Sequence, residues 1–170
     1  MKILKITLLS ATALFVSSIF AQSKTIVEVA VANENFTTLV TAVTVADLVD
    51  TLSSEGPFTV FAPVNSAFEA LPAGTVETLL APESKNALSG LLTYHVVAGK
   101  YMAADVIKAI KENKGSFPVK TVQGGMITLS LNGDNVMLKD EKGNMATVVI
   151  ADVAASNGVI HAIDTVVMPK

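Results

Sequence analysis

The sequence predicts an α+β fold, short helices packed against an antiparallel β-sandwich, and three observations carry that prediction. Apolar residues between Thr25 and Leu52 recur at helical intervals. The last third of the chain is instead a series of short runs rich in Val, Ile and Thr with turn formers between them. Finally, 51% of the 170 residues are hydrophobic, enough for one buried core in a chain of this length. With no cysteine available for a disulfide, that core has to hold the fold alone.

The elements follow in order. "MKILKITLLSATALFVSSIFAQS" reads as a targeting segment: Lys2 and Lys5 form a positive start, Ile6 to Phe20 an apolar stretch, and Ala21 a small residue before a cut ahead of Gln22. The stretch is shorter than the roughly 20 residues of a spanning helix. Residues 1–21 are therefore expected to be a cleaved signal peptide, and 22–170 a single exported domain with no stable membrane insertion. Within Thr25 to Leu52, Phe36, Leu39, Val40 and Val43 share a helical face, although the many β-branched residues would by propensity favour strand. Gly56-Pro57 breaks the chain, and "FTVFA" (Phe58 to Ala62) reads as a buried strand. Asn65 suits the N-cap of "NSAFEAL", a second helical piece follows Gly74-Thr75, and "PESKNALSGLLTY" predicts a helix from Pro82. "PVKTV", "GMITLSL", "VMLKD", "MATVVIAD" and "GVIHAIDTVVM" complete the strands, with turns at Asn132-Gly133 and Lys142-Gly143-Asn144.

Charge and composition remove several functions. The net charge is −3 and becomes more negative without Lys2 and Lys5, which disfavours nucleic acid and anionic membranes as partners. There is no arginine, hence no bidentate fork for phosphate. Only two histidines are present. His161 and Asp164 lie three apart in a strand and so face opposite sides. Around Ser66, Ser89 and Ser156 nothing resembles the tight turn that exposes a catalytic serine. No catalytic residue is expected, and the chain reads as a non-enzyme. The histidine spacing matches no zinc pattern. Asp134 and Asp140-Glu141 sit beside Gly and Asn as hairpin turns do, without the distal glutamate of a calcium loop. No cofactor or metal is expected.

His95, in "LLTYHVVAGKY", runs into the apolar pair Val96-Val97. Its ring is expected to be partly buried and to need partners for both nitrogens, with the Asn65 amide a candidate and Tyr94 pointing the other way, towards the surface. Asn35-Phe36-Thr37 is a glycosylation sequon in a host that modifies exported chains. Asn157-Gly158 reads as a turn dipeptide.

Three segments together resemble the fasciclin domain family: "FTVFAPVNSAFEALP" (Phe58 to Pro72), "LLTYHVVAGKY" (Leu91 to Tyr101) and "ADVAASNGVIHAIDTVVMP" (Ala151 to Pro169). Their order and intervals match as well, and the resemblance covers nearly all of the chain beyond the leader. Val64 and Ala98 stand where the family commonly has threonine and proline. The resemblance implies a wedge-shaped β-sandwich with a flank of short α-helices, an extracellular location and adhesion to cells or matrix, without catalysis. Animal members have Tyr-His and Asp-Ile elements implicated in integrin binding, and the matching partner-binding positions here are Tyr94, His95, Asp152 and Val153. The expected function is that of a secreted or periplasmic adhesion protein contacting a cell-surface or matrix protein or glycan. The alternative is a periplasmic small-ligand carrier using a cleft between helices and sandwich. A large apolar pocket with a few convergent polar groups would mark the carrier, whereas an exposed face without such a cavity would mark the adhesion protein.

Overall fold

The structure, a computed structural model, describes residues 24–170; the expected signal peptide at 1–21 lies outside them. Three short helices come first, α1 (Ile26–Val31), α2 (Thr37–Val45) and α3 (Val49–Ser53). Thr25 and Glu28 form a reciprocal capping box at the start of α1. That local bond set helps to overcome the strand preference of a β-branched segment. In α2 the hydroxyls of Thr41 and Thr44 donate to the carbonyls of Thr37 and Val40, one turn back, so the threonines satisfy themselves along the helix while Leu39, Ala42 and Val43 face inward.

Strand β1 (Phe58–Pro63) leads into α4 (Asn65–Glu69) and α5 (Thr75–Leu80). Asn65 does not cap its own helix. Val64 occupies the N-cap position without a side-chain bond, and the Asn65 amide is turned onto the start of α2. There Oδ1 accepts from the Thr38 amide and the Thr37 hydroxyl, and Nδ2 donates to the Glu34 carbonyl. The helix expected from Pro82 is divided into a 3-10 turn at Pro82–Ser84 and α6 (Lys85–Tyr94). Then come β2 (Val96–Ala98), α7 (Ala103–Glu112), β3 (Ser116–Lys120), β4 (Met126–Asn132), β5 (Asn135–Lys139), β6 (Met145–Ala155) and β7 (Gly158–Ile163).

The seven strands form one sheet in the order β2-β1-β7-β6-β5-β4-β3. All neighbours are antiparallel except β1 and β7, which run parallel from Phe58 opposite Gly158 to Pro63 opposite Ile163. The long connection between these two strands lets the chain return in the same direction. Strand β6 joins the two halves: Met145 to Thr147 pair with β5, and Val148 to Ala155 pair with β7 across two register shifts. These irregularities bend the strand. At the far ends Val97 bridges Thr121, and the Val122 amide donates to the Val96 carbonyl at 2.8 Å. The curled sheet thus nearly meets itself, giving the expected helix-flanked sandwich from a single bent sheet.

Two apolar cores result. One lies between the helical flank and the outer face of β1 and β7, and includes Phe36, Leu88 and Ile160. The other fills the curl beneath α7, with Phe61, Tyr94, Ile127 and Leu138 among its members. No helix among the described residues is long and apolar enough to cross a membrane.

Candidate functional site

His95 follows the last residue of α6 and is almost fully buried. Its Nδ1 lies 2.8 Å from the Leu91 carbonyl and its Nε2 3.3 Å from the Val167 amide. A carbonyl can only accept and an amide N–H can only donate, so Nδ1 carries the proton and Nε2 accepts. Burial lowers the pKa from 6.5 to about 4, against the smaller opposing effects of the Leu91 carbonyl and the Asp140 charge. The expected Asn65 partner is absent from this set because its amide is committed to α2.

Tyr94, expected to point outward, is instead 0% exposed. Helix α6 ends against β4, and the ring enters the curl of the sheet. There the hydroxyl donates to the Met126 carbonyl at 2.8 Å and accepts from the Glu141 amide at 3.2 Å. Burial raises the phenol pKa above 10, as do the Glu141 and Asp140 charges, while the Glu141 amide bond opposes the shift. Gly125 has no side chain here for a steric reason: a Cβ would lie 2.7 Å from the Tyr94 ring.

His161 sits in β7 and stacks on Phe61 with ring centroids 5.7 Å apart. Its Nε2 donates to the Tyr101 carbonyl at 2.7 Å, and its Nδ1 accepts from the Asp152 amide at 3.2 Å. Asp164 bonds the Thr147 amide and the Thr165 hydroxyl instead. Both imidazoles thus spend both nitrogens on the main chain, and neither can take a substrate proton without breaking a backbone bond.

Asp152 and Val153, adjacent in sequence, divide their roles. Asp152 is exposed, at φ 58 within the irregular part of β6, a left-handed conformation that aspartate tolerates better than most residues. Its Oδ1 accepts from the Ala103 amide at 2.7 Å. Met102 at the N-cap of α7 supplies no side-chain bond, so Asp152 caps that helix from a different element. Val153 is half-buried against the core under the helical flank. Beside Asp152 the same bend exposes Val149 by 53% and Ile150 by 42%, two large apolar side chains that a regular strand would place on alternate faces.

Two structural hubs had no decisive signal in the sequence. Asp140 is buried and accepts four bonds, from the Lys142 and Asn144 amides, the Asn144 side chain and the Met168 amide. Burial opposes its ionisation, but these bonds outweigh it and hold the pKa below the usual 3.8. Asn157, read as a turn residue, accepts from the Ile26 amide through Oδ1 and donates to the Leu52 and Ser54 carbonyls through Nδ2. It ties α1 and the end of α3 to the β6–β7 turn. The only hint was a polar residue before glycine. The reason for that glycine is a close approach, since a Cβ at Gly158 would collide with the Phe58 carbonyl.

Between the helical flank and the sheet lies a cavity of about 180 Å³. Ile26 and Ala30 of α1, Val40 and Val43 of α2, and Leu52 of α3 form one wall, with Val60, Val96 and Ile160 opposite. Val31, 63% exposed, and Thr44, also exposed, stand at its rim. Its polar side chains are His95 and Thr44, and both have their hydrogen bonds made elsewhere. The carrier criterion is met in position and apolarity. Among the described residues the convergent polar groups are missing, and the volume is below the roughly 300 to 1,000 Å³ of drug-sized ligand sites. Among the described residues no group of three or more His, Asp or Glu side chains is placed to share a metal ion.

Comparison with known proteins agrees with this architecture. The Fasciclin domain family model matches residues 34–169. Protein sll1483 of Synechocystis sp. is 56% identical over 145 residues, covering 85% of this chain and 73% of that protein. Immunogenic protein MPB70 of Mycobacterium bovis is 40% identical over 123 residues, covering 72% of this chain and 55% of its own length. Among solved structures, a FAS1 domain pair from the insect cell adhesion molecule Fasciclin I superposes with a TM-score of 0.74 at 17% identity, over 84% of this chain and 50% of that one.

Proposed function

The chain belongs to the fasciclin domain family, and from that premise we propose that it works outside the cytoplasm as an adhesion protein, contacting a cell-surface or matrix protein or glycan. The observation that carries this reading is the apolar segment on the bend of β6, where Val149 and Ile150 stand exposed beside the Asp152 carboxylate. Neighbouring large apolar side chains left in water with a polar group at their edge are what a contact patch presents before its partner covers it. Support of a more general kind comes from the cell adhesion molecule whose domain pair shares the fold. In this reading Asp152 and the exposed neighbours touch the partner, while Tyr94, His95 and Val153 act from within by holding α6, the carboxy-terminal segment and β6 in place. The test is attachment of labelled protein to intact cells and matrix of the source organism. A Val149→Lys, Ile150→Glu double variant should keep its melting temperature and lose attachment. Undiminished attachment by the folded variant rules the patch out.

A second reading, the small-ligand carrier, is favoured by the cavity under α1 and α2. It uses a different face from the β6 bend, so the two can be tested separately.

A further inference from the structure

We propose that the cavity between the helical flank and the sheet binds a small, uncharged, apolar molecule, of about the size of a single hydrocarbon ring or a short branched chain end. The inference rests on the carrier reading and narrows it to a ligand class.

Polarity decides the class. Among the described residues the cavity wall contains no Lys, Asp or Glu, and its polar members are His95 and Thr44. The Thr44 hydroxyl donates to the Val40 carbonyl at 2.8 Å, and both His95 nitrogens are held by the Leu91 carbonyl and the Val167 amide. A ligand carboxylate or ammonium would therefore enter without a partner and lose its hydration, a cost that an apolar ligand does not meet. Ile26, Ala30, Val43, Val60 and Ile160 offer aliphatic surface only, so attraction comes from dispersion and from excluding water.

Size and access set the remaining limits. An engineered apolar cavity of about 150 Å³ stays dry and takes up benzene, and this one measures about 180 Å³. The deep wall residues Ile26 and Ile160 are nearly inaccessible, whereas Val31 and Thr44 at the other end are exposed. That gradient places the opening between α1 and α2. The two helices on either side of the opening are not loosely attached, because Asn65 fixes the start of α2 and Asn157 the start of α1. A held wall preserves the space for a ligand where a free one would collapse into it.

The test compares toluene with benzoate and benzylammonium, ring compounds of similar shape that differ in charge. Toluene should shift the backbone amide resonances of Ala30, Val43 and Ile160 and raise the melting temperature. The two charged compounds should bind about tenfold more weakly or worse, because their charge cannot be paired. Ala30→Phe and Ala62→Leu each fill the space from a different wall, so one suffices if the other does not fold, and either should abolish the toluene shifts. Solvent extraction of the wild-type protein from the source organism, followed by mass spectrometry, should release a neutral apolar compound that the filled variant lacks. Benzoate or benzylammonium binding as tightly as toluene at these residues would overturn the ligand class and leave a carrier. Toluene shifts that persist in the filled variant, or native protein with nothing to extract, would overturn the carrier itself.

Discussion

His95 is neutral because its surroundings leave no room for a second proton. Nε2 faces an N–H that must donate, so protonation there would set two donors against each other and bury a charge. The linkage to stability has a definite sign. In the unfolded chain the imidazole takes up a proton below about pH 6.5, and in the folded chain only below about 4. Stability from this residue is complete above pH 6.5 and is lost as pH falls from 6.5 to 4, on the order of 3 kcal/mol in total. Asp140 adds a separate loss at lower pH. Its folded pKa lies below 3.8, so its contribution is present above that value and disappears as pH falls through the folded pKa. Urea midpoints measured from pH 2 to 8 should show the upper window in full and, below pH 3.8, the lower one. His95→Leu should flatten the upper window and leave the lower one, and a slope between pH 4 and 6.5 that survives the substitution would contradict this assignment.

At the scale of elements, the fold is assembled by side chains that serve a helix other than their own. Asn65 at the start of α4 caps α2, Asp152 on β6 caps α7, and Asn157 in the β6–β7 turn holds both α1 and α3. Short helices need such help, since a helix of five to ten residues is not stable alone. Asn157→Ala removes an acceptor from the Ile26 amide and donors from two carbonyls. The expected cost is about 2 to 3 kcal/mol, because three backbone groups lose a partner and water can rescue those nearest the surface. Hydrogen exchange gives the sharper check. Protection should fall in α1 and α3 while β4 and β5 keep theirs, and uniform loss across the molecule would show that Asn157 acts on the whole fold. The helix-holding bonds of Asn157 and Asp152 escape a sequence reading for one reason: the bonded groups lie far along the chain, and local context shows only a turn and an exposed acid.

For the whole molecule, one bent sheet divides the interior into a core beneath the helices and another inside the curl. The first borders the cavity beneath α1 and α2, and the second holds Tyr94. Residues lining the cavity pack less of their apolar surface against protein than a close-packed core would allow. The chain has no disulfide to compensate, so both cores have to be substantial. The positive start, apolar stretch and Ala21 predict a mature chain beginning at Gln22. Mass spectrometry of protein recovered from outside the cytoplasm should find that terminus, and intact Met1 on membrane-bound protein would be the contrary result.

The α+β class, the run of strands after residue 116, the order of the three family segments and the burial of His95 are legible in the chain before it folds. Each of these is written in local pattern: apolar period, turn chemistry, or a polar residue inside an apolar run. Tertiary structure alone decided which way Tyr94 points, which helix Asn65 caps, that β1 and β7 run parallel, and that the helices leave space above the sheet. Tyr94 shows why. Its position at the end of α6 is local, but whether its ring meets water or the Met126 carbonyl depends on β4, which is brought beside it only when the sheet curls closed.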